Sequence, residues 1–283
     1  MSSDAPIVAL GRKIADGSAS IDEIAKFVSL HMPDAVEKVN KFFSPRQLIK
    51  RDNTNEPLPT DKRQLSSYRT RLGTMLEYAL STHIDKAIQD VFGVDLRLTF
   101  AVAHEYPDFY VRDAVLGQRV RIEMKAVDVE SDEQAARFEV LATLIQGEKD
   151  VVVIVAWEWI NDKLPNGTDC VYPQIFSYIV VPAADLAHER DQSVVLRGGR
   201  VEPDKLLVPS KKNPGQLVKD PHNAGKILRL VHKSRSAEPF KLSAHIQQFL
   251  QFVDTIKTHV KARKPARKAA AKNTRKRISK ARK

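Results

Sequence analysis

Tyr106-Pro107-Asp108-Phe109-Tyr110-Val111 and, after a turn at Gly117, Arg119-Val120-Arg121-Ile122-Glu123-Met124-Lys125-Ala126-Val127 form the stretch whose reading decides the fold. Phe109 to Val111 is short, aromatic and β-branched, as strands are. Arg119 to Val127 alternates, placing Val120, Ile122, Met124 and Ala126 on one face of a second strand. Residues two apart in a strand point the same way, so Glu123 and Lys125 share the polar face. A hairpin then carries Asp108 across to meet them, and its polar edge bears two carboxylates and an ammonium.

Those residue types suit one chemistry. A phosphodiester is anionic and repels nucleophiles, so its hydrolysis benefits from a divalent cation that neutralises charge and activates water. Mg²⁺ takes hard oxygen ligands and keeps several waters, so two carboxylates and a backbone carbonyl suffice. A lysine beside them can orient or deprotonate the attacking water, or stabilise negative charge. At this point the sequence resembles the PD-(D/E)xK nuclease superfamily, which includes type II restriction endonucleases and repair and recombination nucleases. The resemblance implies Asp108 and Glu123 as Mg²⁺ ligands, the Met124 carbonyl as a further ligand, and Lys125 as the catalytic lysine. Because short motifs arise by chance, a surface turn followed by an ion-paired strand is the competing reading.

The flanking segments supply the context. Ser66 to Phe92 reads as a helix capped by Ser66 or Ser67 and ended by Gly93, with Leu72, Leu76, Leu80, Ile84, Ala87 and Val91 on its apolar stripe. Gly73 leaves room for close approach of another backbone, and Glu77, one turn on, faces the sheet. Many members of the superfamily carry an extra glutamate on a preceding helix, and Glu77 resembles that additional metal-binding residue; an ion pair with Arg69 or Arg71 is the alternative. After the hairpin, Ser131 and Gln134 make a capping box for a helix to Gln146, ended by Gly147. Asp150 to Trp157 reads as a fully buried strand. With Leu96 to Val102 as the first strand, the order corresponds to the αβββαβ core of that superfamily, over about residues 66 to 160. The expected class is therefore α/β, a mixed central sheet with flanking helices.

The remaining chain divides into a helical N-terminal region and linker (1–60), the catalytic domain with recognition loops (61–260) and a basic tail (261–283). Ser20 and Glu23 cap a helix to about His31, and Pro33-Asp34 starts another that ends near Phe43. Lys50 to Lys62, with Asn53, Asn55, Pro57 and Pro59, is a polar linker. Beyond Trp159, the reading is a turn at Leu164-Pro165-Asn166-Gly167, a strand from Ile175 to Val181, and a helix from Ala183 to Arg190. Residues 191 to 220 read as irregular. Within them Lys211, Lys212, Asn213 and Gln216 are candidates for reading base edges, since Lys suits guanine and Asn or Gln adenine; a solvated surface loop is the other reading. Ser243 to Val260 is a final helix with Ile246, Phe249, Leu250, Val253, Ile256 and Val260 on one stripe.

The tail holds twelve Lys or Arg and no acid, so 34 basic residues face 35 acidic ones in the rest. The whole net charge of +11 is therefore concentrated there. Its composition resembles the basic tails of linker histones and histone-like bacterial proteins, and like charges with nothing to build a core predict disorder. Lys264, Arg267, Lys268, Arg275, Lys276 and Arg277 are its candidate phosphate contacts, with a solubility tail as the alternative. No run reaches the ~18 apolar residues of a membrane span, no secretory pattern opens the chain, and Cys170 is alone. His83, His104 and His222 lack zinc-ligand spacing and read as ordinary histidines. The expectation is a soluble, cytoplasmic prokaryotic enzyme, nucleoid-associated through double-stranded DNA, without a nucleotide cofactor. A palindromic target would call for a homodimer. A repair or recombination nuclease of the same fold is the alternative, and so is a histone-like DNA-binding protein with an inactive nuclease fold.

Overall fold

The computed structural model describes residues 5–44, 61–101, 105–130, 136–164, 166–167 and 169–281; for Lys62, Asp169 and 264–281 it describes the backbone alone. The N-terminal helices are α1 (Ala5–Asp16), α2 (Ile21–Phe42) and α3 (Lys62–Phe92). A five-stranded sheet follows in the order β1 (Leu96–Phe100), β2 (Phe109–Asp113), β3 (Gln118–Asp128), β4 (Asp150–Lys163) and β5 (Asp169–Pro182). Three pairings are antiparallel, and β3 with β4 is parallel, with Glu123 opposite Val152 and Lys125 opposite Ile154. The class is α/β with a mixed sheet and flanking helices, as expected.

Both faces of the sheet are covered. One cluster joins α1 to α3 with Val120, Ile122, Met124, Val151, Val153 and Trp157. The other joins Val127, Val152, Ile154 and Ala156 to α4 (Ala183–Leu196) and α6 (Ala244–Ala281). This is why the first ten residues of β4 are all buried. Asn40 of α2 fastens its helix to the sheet by a double hydrogen bond with the Ile175 backbone of β5, 2.8 Å each way.

Several segments depart from the sequence reading. The Ser20–Glu23 capping box is present, but α2 runs unbroken through Pro33. Proline has no N–H for the preceding turn, yet Pro33 is exposed while Val28, Met32, Ala35 and Val39 are buried on one side, so packing holds the helix together. Helix α3 starts earlier than expected, with Asp61 as its cap accepting from the Gln64 N–H at 2.9 Å. Its buried stripe ends on Ile88, with Val91 exposed, because the apolar line keeps to four-residue steps and turns about 40° at each.

The helix expected from Ser131 to Gln146 is absent over 136–146, while Ser131 and Gln134 lie outside the described residues. Ala136 and Phe138 are buried with Arg137 between them partly exposed, a two-residue period, and Arg137 bridges to Lys226. The segment lies close against Gly225, where an added Cβ would meet the Phe138 carbonyl oxygen at 2.3 Å. Only a 3₁₀ turn at Ala142–Leu144 is helical there, so the αβββαβ order is not complete.

Residues 191–220 are not irregular either. Helix α4 extends to Leu196, and β6 (Arg200–Glu202), β7 (Lys205–Pro209) and β8 (Leu217–Lys219) form a three-stranded antiparallel sheet. A short helix, α5 (Lys233–Ser236), precedes α6. The backbone of α6 continues to Ala281, so 261–281 is helical where disorder was expected, in line with the helix propensity of Ala, Lys and Arg. The 50–60 linker, His104 and the side chains of Lys264, Arg267, Lys268, Arg275, Lys276 and Arg277 lie outside the described residues. Among the described residues, no helix is long and apolar enough to cross a membrane.

Candidate active site

Strand β2 pairs with β3 only as far as Phe109 opposite Ile122, which leaves the β2-side edge of β3 open beyond that point. An unpaired strand edge must find other hydrogen-bond partners. Two carboxylates supply them. The Met124 N–H donates to Asp108 Oδ2 at 2.7 Å, and the Ala126 N–H donates to Glu77 Oε1 at 3.0 Å. Asp108 is held in place by its position at the start of β2, where its carbonyl accepts from the Ala101 N–H at 2.9 Å. Glu77 reaches the same edge from α3.

Lys125 closes the cluster. Its Nζ donates to Glu123 Oε1 at 2.5 Å and to the Met124 carbonyl at 2.9 Å, and lies 3.9 Å from Asp108 Oδ2. The four expected site residues and the Met124 carbonyl are thus brought together. Of the side chains, Asp108 is 38% exposed, Lys125 19% and Glu123 10%, so the cluster opens to solvent on the Asp108 side.

Three carboxylates share one ammonium, and their protonation reflects it. Burial pushes the Glu123 carboxyl up to about 7 against the pull of Lys125, and neighbouring Asp108 pushes the same way. Glu77 is also pushed up to about 7, first by burial and then by Asp108 and Glu123, against Lys125 and the Ala126 N–H. Burial alone would lower Lys125, but Glu123, Asp108 and Glu77 outweigh it and hold its pKa above the ordinary value. These carboxylates thus favour the ammonium form of Lys125.

The donors are hard oxygens, of the kind Mg²⁺ selects. Among the described residues, however, no group of three or more His, Cys, Asp or Glu is arranged to hold a metal ion. The carboxylates of Asp108 and Glu123 and the Met124 carbonyl are donors of the type Mg²⁺ takes, and in this structure the Lys125 ammonium lies against them. Two expectations need correction. Arg69 does not pair with Glu77; it binds Asp128 at 2.7 Å. A Cβ on Gly73 would meet Ala126 Cβ at 3.7 Å, an ordinary contact, so glycine is not required there.

The sequence reading missed a second polar cluster beside the first. Asp150, fully buried at the start of β4, accepts from the Tyr106 hydroxyl at 2.7 Å and the Gln146 N–H at 2.9 Å, and lies 3.4 Å from Arg121 Nε. The Arg121 guanidinium stands 5.0 Å over the Tyr106 ring. It ties Tyr106, two residues before Asp108, to the strand beside β3. A charged Arg121 on the same strand face as Glu123 was the available signal.

Lys211, Lys212, Asn213 and Gln216 are exposed on the β7–β8 turn, where Ser210 N–H donates to the Gln216 carbonyl at 2.9 Å. No described contact joins that turn to the carboxylates. A groove of about 870 Å³ between α6 and residues 227–239 is likewise lined by none of the site residues. His222 pairs with Glu139 at 2.7 Å, away from the cluster. The chain matches no family model, no curated protein and no solved structure.

Proposed function

We propose that this protein is a metal-dependent endodeoxyribonuclease of the PD-(D/E)xK kind, with cleavage of a short specific site, as by a type II restriction enzyme, as its particular form. One observation carries the reading: at the open edge of β3, Asp108 and Glu123 lie against the ammonium of Lys125, and Glu77 is bonded to the neighbouring Ala126 N–H. So much negative charge in a partly buried place is unfavourable for folding and marks a site for a cation.

Mg²⁺ would be held by Asp108, Glu123 and the Met124 carbonyl, with Glu77 close by, and there it would supply charge neutralisation and an acidified water. The chain's own residues set the geometry. The β3 amides fix Asp108 and Glu77, and the Tyr106–Asp150 bond holds the turn that carries Asp108. Lys125, kept protonated, is a donor for a phosphate oxygen and for the developing negative charge.

A second reading has its own support, since Asp108 and Glu77 each already accept a backbone N–H and no three acids converge on a point. It is a DNA-binding protein with an inactive nuclease fold. Digestion of a sequenced plasmid with Mg²⁺ separates the two. Discrete fragments support site-specific cleavage, a smear supports a non-specific or repair-type nuclease, and retarded but uncut DNA supports the binding protein.

A further inference from the structure

The solvent side of α3, next to the carboxylates, has an unusual composition. Tyr68, Arg71, Met75, Tyr78 and Thr82 recur at three- and four-residue steps and are all exposed, so they form one stripe. Tyr78 follows Glu77 directly and is 50% exposed; Phe100, at the end of β1, is 56% exposed. Their rings stack with centroids 5.2 Å apart at 22°, and Phe100 leans on Phe109, the residue after Asp108, also at 5.2 Å. An aromatic step thus stands beside the candidate site, with Tyr78 next to Glu77 and Phe109 next to Asp108 in sequence.

The charge of the helix points the same way. From Lys62 through Leu76, α3 carries no acid, and besides Arg69, which is paired with Asp128, it carries Lys62, Arg63 and Arg71. Exposed aromatic faces interleaved with basic residues are what single-stranded nucleic acids use, because bases stack on rings while cations follow the phosphates. In a duplex the base faces are covered by their neighbours. The 5.2 Å between Tyr78 and Phe100 leaves no room for a base between them, since stacked bases are about 3.4 Å apart. A base would therefore extend the stack on its outer side.

We propose that the Tyr68–Arg71–Met75–Tyr78 stripe, together with Phe100, is a stacking platform for unpaired bases of single-stranded DNA. The platform holds a strand whose phosphodiester lies at the carboxylate cluster. This names the substrate class of the same site and so rests on the nuclease reading, in its repair or recombination form acting on unpaired strands rather than as cleavage of intact duplex at a short specific site.

The test uses the full chain in EDTA and measures fluorescence anisotropy with three labelled oligonucleotides: a single strand, the same strand with a run of abasic positions, and the duplex. The three differ in base exposure, and the abasic comparison cancels the electrostatic contribution of the basic tail. Tyr78→Ala and Phe100→Ala should each weaken binding of the base-bearing single strand about fivefold or more. Tyr78→Phe should retain it, and none of the variants should change the abasic strand. Equal affinity of wild type and Tyr78→Ala for the base-bearing strand would overturn the platform. So would equal affinity of the wild type for base-bearing and abasic strands. If Tyr78→Ala instead splits a dimer in sedimentation at unchanged oligonucleotide affinity, the stripe is an interface between copies and the platform falls. Base-dependent binding in a protein that cuts nothing with Mg²⁺ would leave the platform standing and remove the nuclease reading.

Discussion

Two polar clusters lie side by side on one face of β3, and they are built on opposite principles. Around Arg121, one guanidinium meets one carboxylate, Asp150, whose other oxygen accepts from a tyrosine hydroxyl and a backbone N–H. Around Lys125, one ammonium meets Glu123, Asp108 and Glu77. The first is charge-balanced and serves the fold. The second sets three carboxylates against one ammonium, and two of them, Glu123 and Glu77, are pushed up to about 7. The same strand thus carries a paired arrangement at Arg121 and an unequal one at Lys125, on which the proposed site rests.

The largest expected effect separates the clusters by activity. Asp108→Asn should lower Mg²⁺-dependent cutting about a thousandfold or more, while its melting temperature stays level or rises, because a like charge is gone and the amide oxygen can still accept from the Met124 N–H. A plasmid-cutting assay beside a thermal melt checks both halves. The reverse holds for Asp150→Ala. It leaves Arg121 buried without its carboxylate and Tyr106 without its acceptor, and should cost about 3 kcal/mol or more. Urea unfolding at wild-type stability would show that the Arg121 cluster is not the structural one.

Glu123→Gln sharpens the contrast through pH. The folded-state pKa of Glu123, about 7, lies above its unfolded value, so its stabilising contribution is full below about 4.5 and is lost as pH rises through 7. The variant lacks that loss, so at pH 8 it should be more stable than wild type, by about 3 kcal/mol at most, and nearly equal to it at pH 4. Denaturant midpoints that stay parallel across this range would remove the strain assigned to the cluster.

His31 supplies a control of opposite sign. Burial lowers its pKa to about 4, so the unfolded chain binds the proton more readily, and stability present above about 6.5 is lost as pH falls towards 4. His31→Leu should remove about 2 kcal/mol of the destabilisation between pH 7 and 5. Identical acid sensitivity in the two proteins would contradict this.

How much of this was legible depended on the reach of each signal. The β2–β3 hairpin and the meeting of Asp108, Glu123 and Lys125 follow from alternation within a few residues, and the structure has them. Glu77 was legible as a boundary residue on a helical stripe, but not its bond to the Ala126 N–H, which exists because β2 stops short. The capping box at Ser131 misled, since the two-residue period of Ala136 and Phe138 sets the structure of that crossover. Strands β6 to β8 are three to five residues long and broken by Pro203, Asp204 and Pro214, so no periodicity could announce them. Asp150 belongs to a cluster assembled from three separate elements, and nothing local to it carries that information.

If the Lys125 cluster binds a divalent cation, thermal unfolding with Mg²⁺ against EDTA reveals it without reference to any substrate. A ligand that binds only the folded state at a hundred times its Kd stabilises by about 2.7 kcal/mol. Wild-type protein should melt several degrees higher in saturating Mg²⁺, and Asp108→Ala and Glu123→Gln should lose most of that shift. A wild-type melting temperature that is the same in Mg²⁺ and in EDTA would contradict the account.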